Sequence, residues 1–164
     1  MAISSENLTD TTGIQLTKDA FVVIIKTEWN AHVVELLEEG CVNILSQNNV
    51  EFKIIEVPGA FEIPFAVKKY WSKATERNDS KLPAAFIALG CVIRGDTPHF
   101  EYVCEGVTQG IMNLNITLPV PVIYGVLTVN NQLQADERLG GSHGHKGEEA
   151  AAAAIKMIAF SQSI

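Results

Sequence analysis

Unbroken apolar runs and stretches with apolar residues three or four apart take turns along this chain. The run "AFVVII" (20–25) is continuous and β-branched, which predicts a buried strand. "HVVELLEEGCVNIL" (32–45) then places Val33, Leu36, Leu37, Cys41, Ile44 and Leu45 on one helical face. "EFKIIEV" (51–57) predicts the second strand. After "PGA" a helix is predicted over about 61–73, with Pro64 in the first turn, where a missing N–H leaves no bond unmade. The polar loop "TERNDSKLP" (75–83) leads into a third strand, "AAFIALGCVI" (84–93). The next helix is predicted from Pro98 to Asn115, with Phe100, Val103, Val107, Ile111 and Leu114 along one side. "VPVIYGVLT" (120–128) reads as the fourth strand, and "NQLQADERLG" (131–140) as a short helix stopped by Gly140 and Gly141. The last helix, Gly147 to Ser161, is alanine-rich and carries Glu148 and Glu149 at its positive end. Ahead of all this, residues 1–13 are polar and expected to be mobile, and Ile14 to Leu16 could form a short edge strand.

The order is β-α-β-α-β-α-β-α-α with fully apolar strands. It predicts one α/β domain over residues 14–164, built on a mainly parallel sheet with helices on both faces. No internal repeat interrupts it.

Composition acts mainly by exclusion. The chain has 164 residues, 47% of them hydrophobic and 19% charged, so it is globular rather than disordered. A formal net charge of -7 argues against a nucleic-acid partner but leaves room for one local anionic ligand. Cys41, Cys91 and Cys104 are odd in number, share no metal-ligand spacing and fall in apolar elements, as buried thiols of a reducing compartment do. No stretch is long and apolar enough for a bilayer, and the N-terminus lacks the basic and apolar regions of a secretory signal. The expectation is a cytoplasmic protein with no membrane partner.

Ligands of open α/β sheets bind outside the carboxyl ends of the strands. That rule collects Trp29 and Asn30 after the first strand, Pro58 to Glu62 after the second, Arg94 to His99 after the third, and Tyr124 and Asn130 near the end of the fourth. In "RGDTPHF", Pro98 is placed as the first helical residue and Thr97 as its N-cap, with His99 in the first turn. Unpaired N–H groups there suit a phosphate. The same field works against an imidazolium, leaving His99 available as a base or proton shuttle. Asp96 opposes an anion and is expected to point away or bond a neighbour. The plainer alternative is a capped turn with a surface histidine.

Trp29 could stack on a flat heterocycle or tuck against its own domain. "VPGAFEIP" exposes the N–H groups of Ala60 and Phe61, or is an ordinary strand-to-helix turn. "ERLGGSHGHKGEE" (137–149) offers Arg138 as a bidentate phosphate clamp, beside Lys146. His143 and His145 have no third ligand nearby, so no metal is expected. The two common nucleotide fingerprints are absent, and no serine or cysteine has the context of an activated nucleophile.

Taken together, "VPGAFEIPFAVKK", "LGCVIRGDTPHFEYV", "VPVIYGVLT" and "ERLGGSHGHKGEEAA" resemble the 6,7-dimethyl-8-ribityllumazine synthase family, in order and from about residue 20 to 160. The resemblance implies a three-layer α/β/α sandwich of flavodoxin-like form around a four-stranded sheet. It implies condensation of 5-amino-6-(D-ribitylamino)uracil with 3,4-dihydroxy-2-butanone 4-phosphate, with no cofactor. By the same resemblance His99 shuttles protons, and Arg138, Lys146, Asp96 and Thr97 attend the phosphate. Trp29, Ala60, Phe61, Glu62, Cys91, Val92, Ile93 and Tyr124 hold the pyrimidine and ribityl chain.

Position 29 is commonly phenylalanine in the family. Tryptophan occurs in fungal members that bind riboflavin, so riboflavin is a possible further ligand by resemblance. A flavin or lumazine carrier is therefore the competing reading, although an unphosphorylated flavin would give Arg138 nothing to hold. A signalling domain of flavodoxin type would need an acidic cluster that Asp96 and Glu62 do not make. Tyr124 stands where phenylalanine is common, and the loop at 75–83 looks longer than in many relatives. Family members are pentamers or icosahedral shells of twelve pentamers, with sites between neighbouring subunits. The resemblance thus implies a homo-oligomer, in which residues 14–16 add to a neighbour's sheet and the compact loop 139–147 favours the shell.

Overall fold

A computed structural model of the chain describes residues 8–164. It holds β1 (Phe21–Thr27), α1 (Ala31–Gln47), β2 (Glu51–Val57), a 3-10 turn (Ala60–Glu62), α2 (Ile63–Glu76) and β3 (Ala85–Ile93). These are followed by α3 (His99–Thr117), β4 (Val122–Val129), α4 (Gln132–Asp136), a small hairpin of β5 (Leu139–Gly141) and β6 (Gly144–His145), and α5 (Lys146–Ser163). The four long strands form one parallel sheet in the order β2-β1-β3-β4.

The central strands β1 and β3 read as continuous apolar runs because both of their faces are covered, whereas β2, at the sheet edge, exposes Glu51, Lys53 and Glu56 and is not fully apolar as expected. Along β1, Val22 and Ile24 face a core shared with Val33, Leu37, Cys41 and Leu45 of α1 and with the alanines of α5. Phe21, Val23 and Ile25 face the opposite way, onto Ile63 and Val67 of α2 and Val107 and Ile111 of α3. Alternation across a strand thus divides the interior into two cores, one on each side of the sheet. This is the three-layer α/β/α sandwich expected from the sequence.

Small residues let the outer layers close. Ala150, Ala151, Ala152 and Ala154 of α5 are buried, and Gly147 brings that helix onto the backbone of α1. A Cβ at Gly147 would lie 2.0 Å from the Leu37 carbonyl oxygen, and a backbone atom cannot rotate away. Gly147→Ala is therefore expected to destabilise the chain by about 1–3 kcal/mol, read as a lowered denaturant midpoint at unchanged slope.

Several local expectations are corrected. α3 starts at His99, one residue late, and Pro98 occupies the cap position with φ −62° and ψ −1°. Thr97 is not the N-cap, and no side chain caps this helix. The flattened ψ makes Pro98 a turn residue, closed by the Glu101 N–H donating to the Pro98 carbonyl at 3.1 Å. Leu36, counted on the buried face of α1, is 44% exposed, while Val34 is buried. Residues 14–16 form no strand here, although Ile14 and Leu16 press on the α1/α5 core. Of the N-terminal segment 1–13, residues 1–7 lie outside the described chain. Leu8 is joined by its carbonyl to Lys156 Nζ (2.9 Å), and Thr11 Oγ1 donates to Asn48 Oδ1 (3.0 Å).

Candidate functional site

The carboxyl ends of β1, β2 and β3 open into a cavity of about 570 Å³. That volume suits a small molecule with flat and polar parts. Trp29 and Asn30 enter it from the end of β1, Ala60, Phe61 and Glu62 from the turn after β2, and Cys91 to Ile93 from the end of β3. Thr97 and His99 complete it from the turn that opens α3.

Each wall is built locally. Asn30 adopts the left-handed conformation (φ 57°, ψ 43°) and its carbonyl accepts from the N–H groups of Val33 and Val34. Its Nδ2 donates to the Cys91 carbonyl at 2.8 Å, tying the end of β1 to the end of β3. An asparagine tolerates this backbone at little cost. Trp29 is fastened by its backbone alone. Its N–H donates to the Pro58 carbonyl (3.3 Å) and its carbonyl accepts from Thr27 Oγ1 (3.3 Å). The indole is left 73% exposed at the rim. Phe61, 61% exposed, lies against α3 where Gly106 makes room for it. Cys91 is a neutral thiol there, since burial pushes it up to about 11.

The turn carrying Thr97 and His99 is gripped by Arg94. Its Nε donates to Asn130 Oδ1 (2.9 Å), its Nη1 pairs with Glu101, and its guanidinium lies 4.3 Å over the Phe100 ring. The hydrogen bond from Arg94 holds the Glu101 carboxyl below the usual range. Asp96 is exposed and does not line the cavity.

Arg138, Lys146 and Tyr124 fall elsewhere. They line a second cavity of about 520 Å³ along β4 and α5. Arg138 Nη1 donates to the Gln134 carbonyl (2.8 Å), and Lys146 Nζ reaches both oxygens of Glu149 at 2.7 and 2.9 Å. Tyr124, expected near the end of its strand, is the third residue of β4, opposite Ala88. Its hydroxyl lies 3.2 Å from Thr108 Oγ1, and burial raises its phenol above the usual value. In one chain, then, Trp29, Phe61 and His99 share one cavity, and Arg138, Lys146 and Tyr124 another.

The two other histidines of the glycine-rich stretch have different surroundings. His143 Nδ1 is 3.0 Å from Ser142 Oγ, while His145 packs over Gly40 of α1. Phe100, Tyr102 and Val103 also line the first cavity, which the sequence reading did not assign to the site. Phe100 and Val103 had read as part of the core face of α3. Their place in the first turn beside His99 was the available signal.

A family model described as 6,7-dimethyl-8-ribityllumazine synthase matches residues 19–162. Among curated relatives of that name, the Parabacteroides distasonis protein is 42% identical over 166 residues, covering 98% of this chain and 99% of its own. The Porphyromonas gingivalis protein is 45% identical over 162 residues, 96% of each chain. That of Bacteroides fragilis is 45% identical over 144 residues, 86% of this chain and 96% of its own.

Proposed function

The chain belongs to the 6,7-dimethyl-8-ribityllumazine synthase family, and on that premise we propose how its residues divide the reaction. The enzyme condenses 5-amino-6-(D-ribitylamino)uracil with 3,4-dihydroxy-2-butanone 4-phosphate to give 6,7-dimethyl-8-ribityllumazine, phosphate and water, a step of riboflavin biosynthesis. The observation that carries the assignment is the cavity at the ends of β1 to β3, where Trp29, Phe61, Phe100 and Tyr102 share the lining with His99.

Trp29 stacks on the pyrimidine, an exposed ring meeting a flat heterocycle. The 60–62 turn and the end of β3 take the pyrimidine edge and the ribityl hydroxyls. The 5-amino group attacks the ketone, and water leaves as the imine forms. Phosphate is then eliminated, and attack by the ribitylamino nitrogen closes the ring with loss of water. Each stage moves a proton, and His99 is the titratable group at the first helical position facing the cavity. Thr97 and the unpaired N–H groups of α3 face the phosphate. Asp96 does not line the cavity, and its place in the motif is the remaining reason to count it among the phosphate residues.

Arg138, Lys146 and Tyr124 serve the same reaction from a second copy of the chain. The support is the separation of the two half-sites and the exposure of large apolar groups at both, Trp29 and Phe61 at one and Tyr124 at the other. A homo-oligomer follows, of pentameric or shell form by resemblance, with residues 14–16 crossing to a neighbour's sheet. The exposed Trp29 ring supports riboflavin as a further ligand, and the metabolic reaction of the family supports a cytoplasmic setting.

Incubation with both substrates is expected to produce lumazine absorbance and inorganic phosphate in equal amounts. Flavin binding with no turnover of the two substrates would favour the carrier reading instead.

A further inference from the structure

Arg94 sits five residues before His99, yet it neither lines the first cavity nor finds a use in the chemistry above. Its own contacts are numerous. The backbone N–H donates to the Val129 carbonyl at 2.9 Å, and the side chain engages Asn130, Glu101 and the Phe100 ring. Phe100 and Glu101 immediately follow His99. Asn130 immediately follows β4, and its N–H donates to Gln134 Oε1 at 2.8 Å. The carbonyl of that same Gln134 accepts from Arg138.

The turn between Arg94 and His99 has little else to hold it. Residues 94–99 are exposed, a Cβ at Gly95 would meet nothing within 4 Å, and no side chain caps α3. An exposed ion pair by itself adds little to stability. A planar guanidinium used in three directions at once does something else: it fixes geometry, and an ammonium cannot imitate it.

We infer that Arg94 is a positioning residue, clamping the start of α3 to the end of β4 so that the His99 imidazole is held in place for proton transfer. The inference rests on the role proposed for His99. Through Asn130 and Gln134 the same clamp joins the histidine half-site to α4, whose Gln134 carbonyl accepts from Arg138.

A double-mutant cycle in single-turnover condensation tests it, using the full chain and both substrates. Arg94→Gln is expected to lower the rate about tenfold at saturating substrates, with each KM within about twofold, because misplacing a catalytic group costs turnover more than binding. Arg94→Lys should fall nearly as far, and it reads the same cycle should the glutamine variant fail to fold. Combined with His99→Ala, either substitution should cost nothing more, since a residue acting through the imidazole has nothing left to position. A double variant about tenfold slower than His99→Ala would overturn the inference, as would an Arg94→Gln enzyme of unchanged rate beside a slowed His99→Ala. An unchanged His99→Ala would instead remove the role of the histidine, and the inference with it.

Discussion

Replacing His99 by alanine is expected to slow the single-turnover formation of the lumazine by about a hundredfold, within the range that a positioned general acid or base supplies. The fold should survive, because His99 is exposed, begins its helix and donates to no partner that the packing of α3 needs. Binding should survive too. In the proposed site the flat ring is met by Trp29 and the polar chain by residues 60–62 and 91–93, none of which the substitution replaces. Turnover should therefore fall with KM for the uracil held within a few-fold. His99→Gln, which can hydrogen-bond but not carry a proton across neutral pH, should be nearly as slow. A rate within twofold of the parent in both variants would take the histidine out of the mechanism.

Arg138→Ala is the second large effect. The cationic cavity holds Arg138, Lys146 and Lys156, but Lys146 is committed to Glu149 through both carboxylate oxygens. Lys156 is engaged with the Leu8 carbonyl. The guanidinium of Arg138 spends one N–H on the Gln134 carbonyl, an anchor that keeps the fork in a fixed orientation. It is the cation best suited to take a phosphate bidentately. Its loss should lower kcat/KM for the phosphorylated ketone by about a hundredfold, with the larger share in KM, and leave the uracil KM nearly unchanged. Arg138→Lys should recover only part of the loss, since an ammonium restores charge but not the fork. Equal losses for both substrates would mean that the residue supports the fold rather than the anion.

Much of the scaffold was legible because both faces of the sheet are covered. A strand buried on two sides reads as an unbroken apolar run, and β3 begins within one residue of where that run predicts it. The hairpin of β5 and β6 was not legible. Its glycines carry no periodicity, and its turn depends on Gly140 and Gly144 at positive φ (102° and 73°). Residues 14–16 pair with no strand of their own chain, where Ile14 and Leu16 pack against the core instead.

For the site, the strand-end rule gathered Trp29, the 60–62 turn, Thr97 and His99, and these line one cavity together with Cys91 to Ile93, which the resemblance supplied, since a parallel sheet puts those ends together whatever the loop details. It could not sort Arg138, Lys146 and Tyr124. Chain order does not say which strand lies at the edge, and here β4 does, with its own cavity beyond it. Arg94 was visible as an oddity of composition, but its partners at 101 and 130 depend on tertiary placement.

In the proposed assembly the histidine of one copy and the arginine of another complete one site. Coexpression of the His99→Ala chain with the Arg138→Ala chain, each carrying a different tag, followed by purification on both tags, tests this most directly. Each variant alone should be nearly inactive. Random mixing in a ring of heterologous contacts should restore both native groups at about a quarter of the sites, and the mixed assembly should turn over at about that fraction of the parent rate. Mixed assemblies no more active than the separate variants would contradict the account, because a site completed within a single chain cannot be rescued by a neighbour.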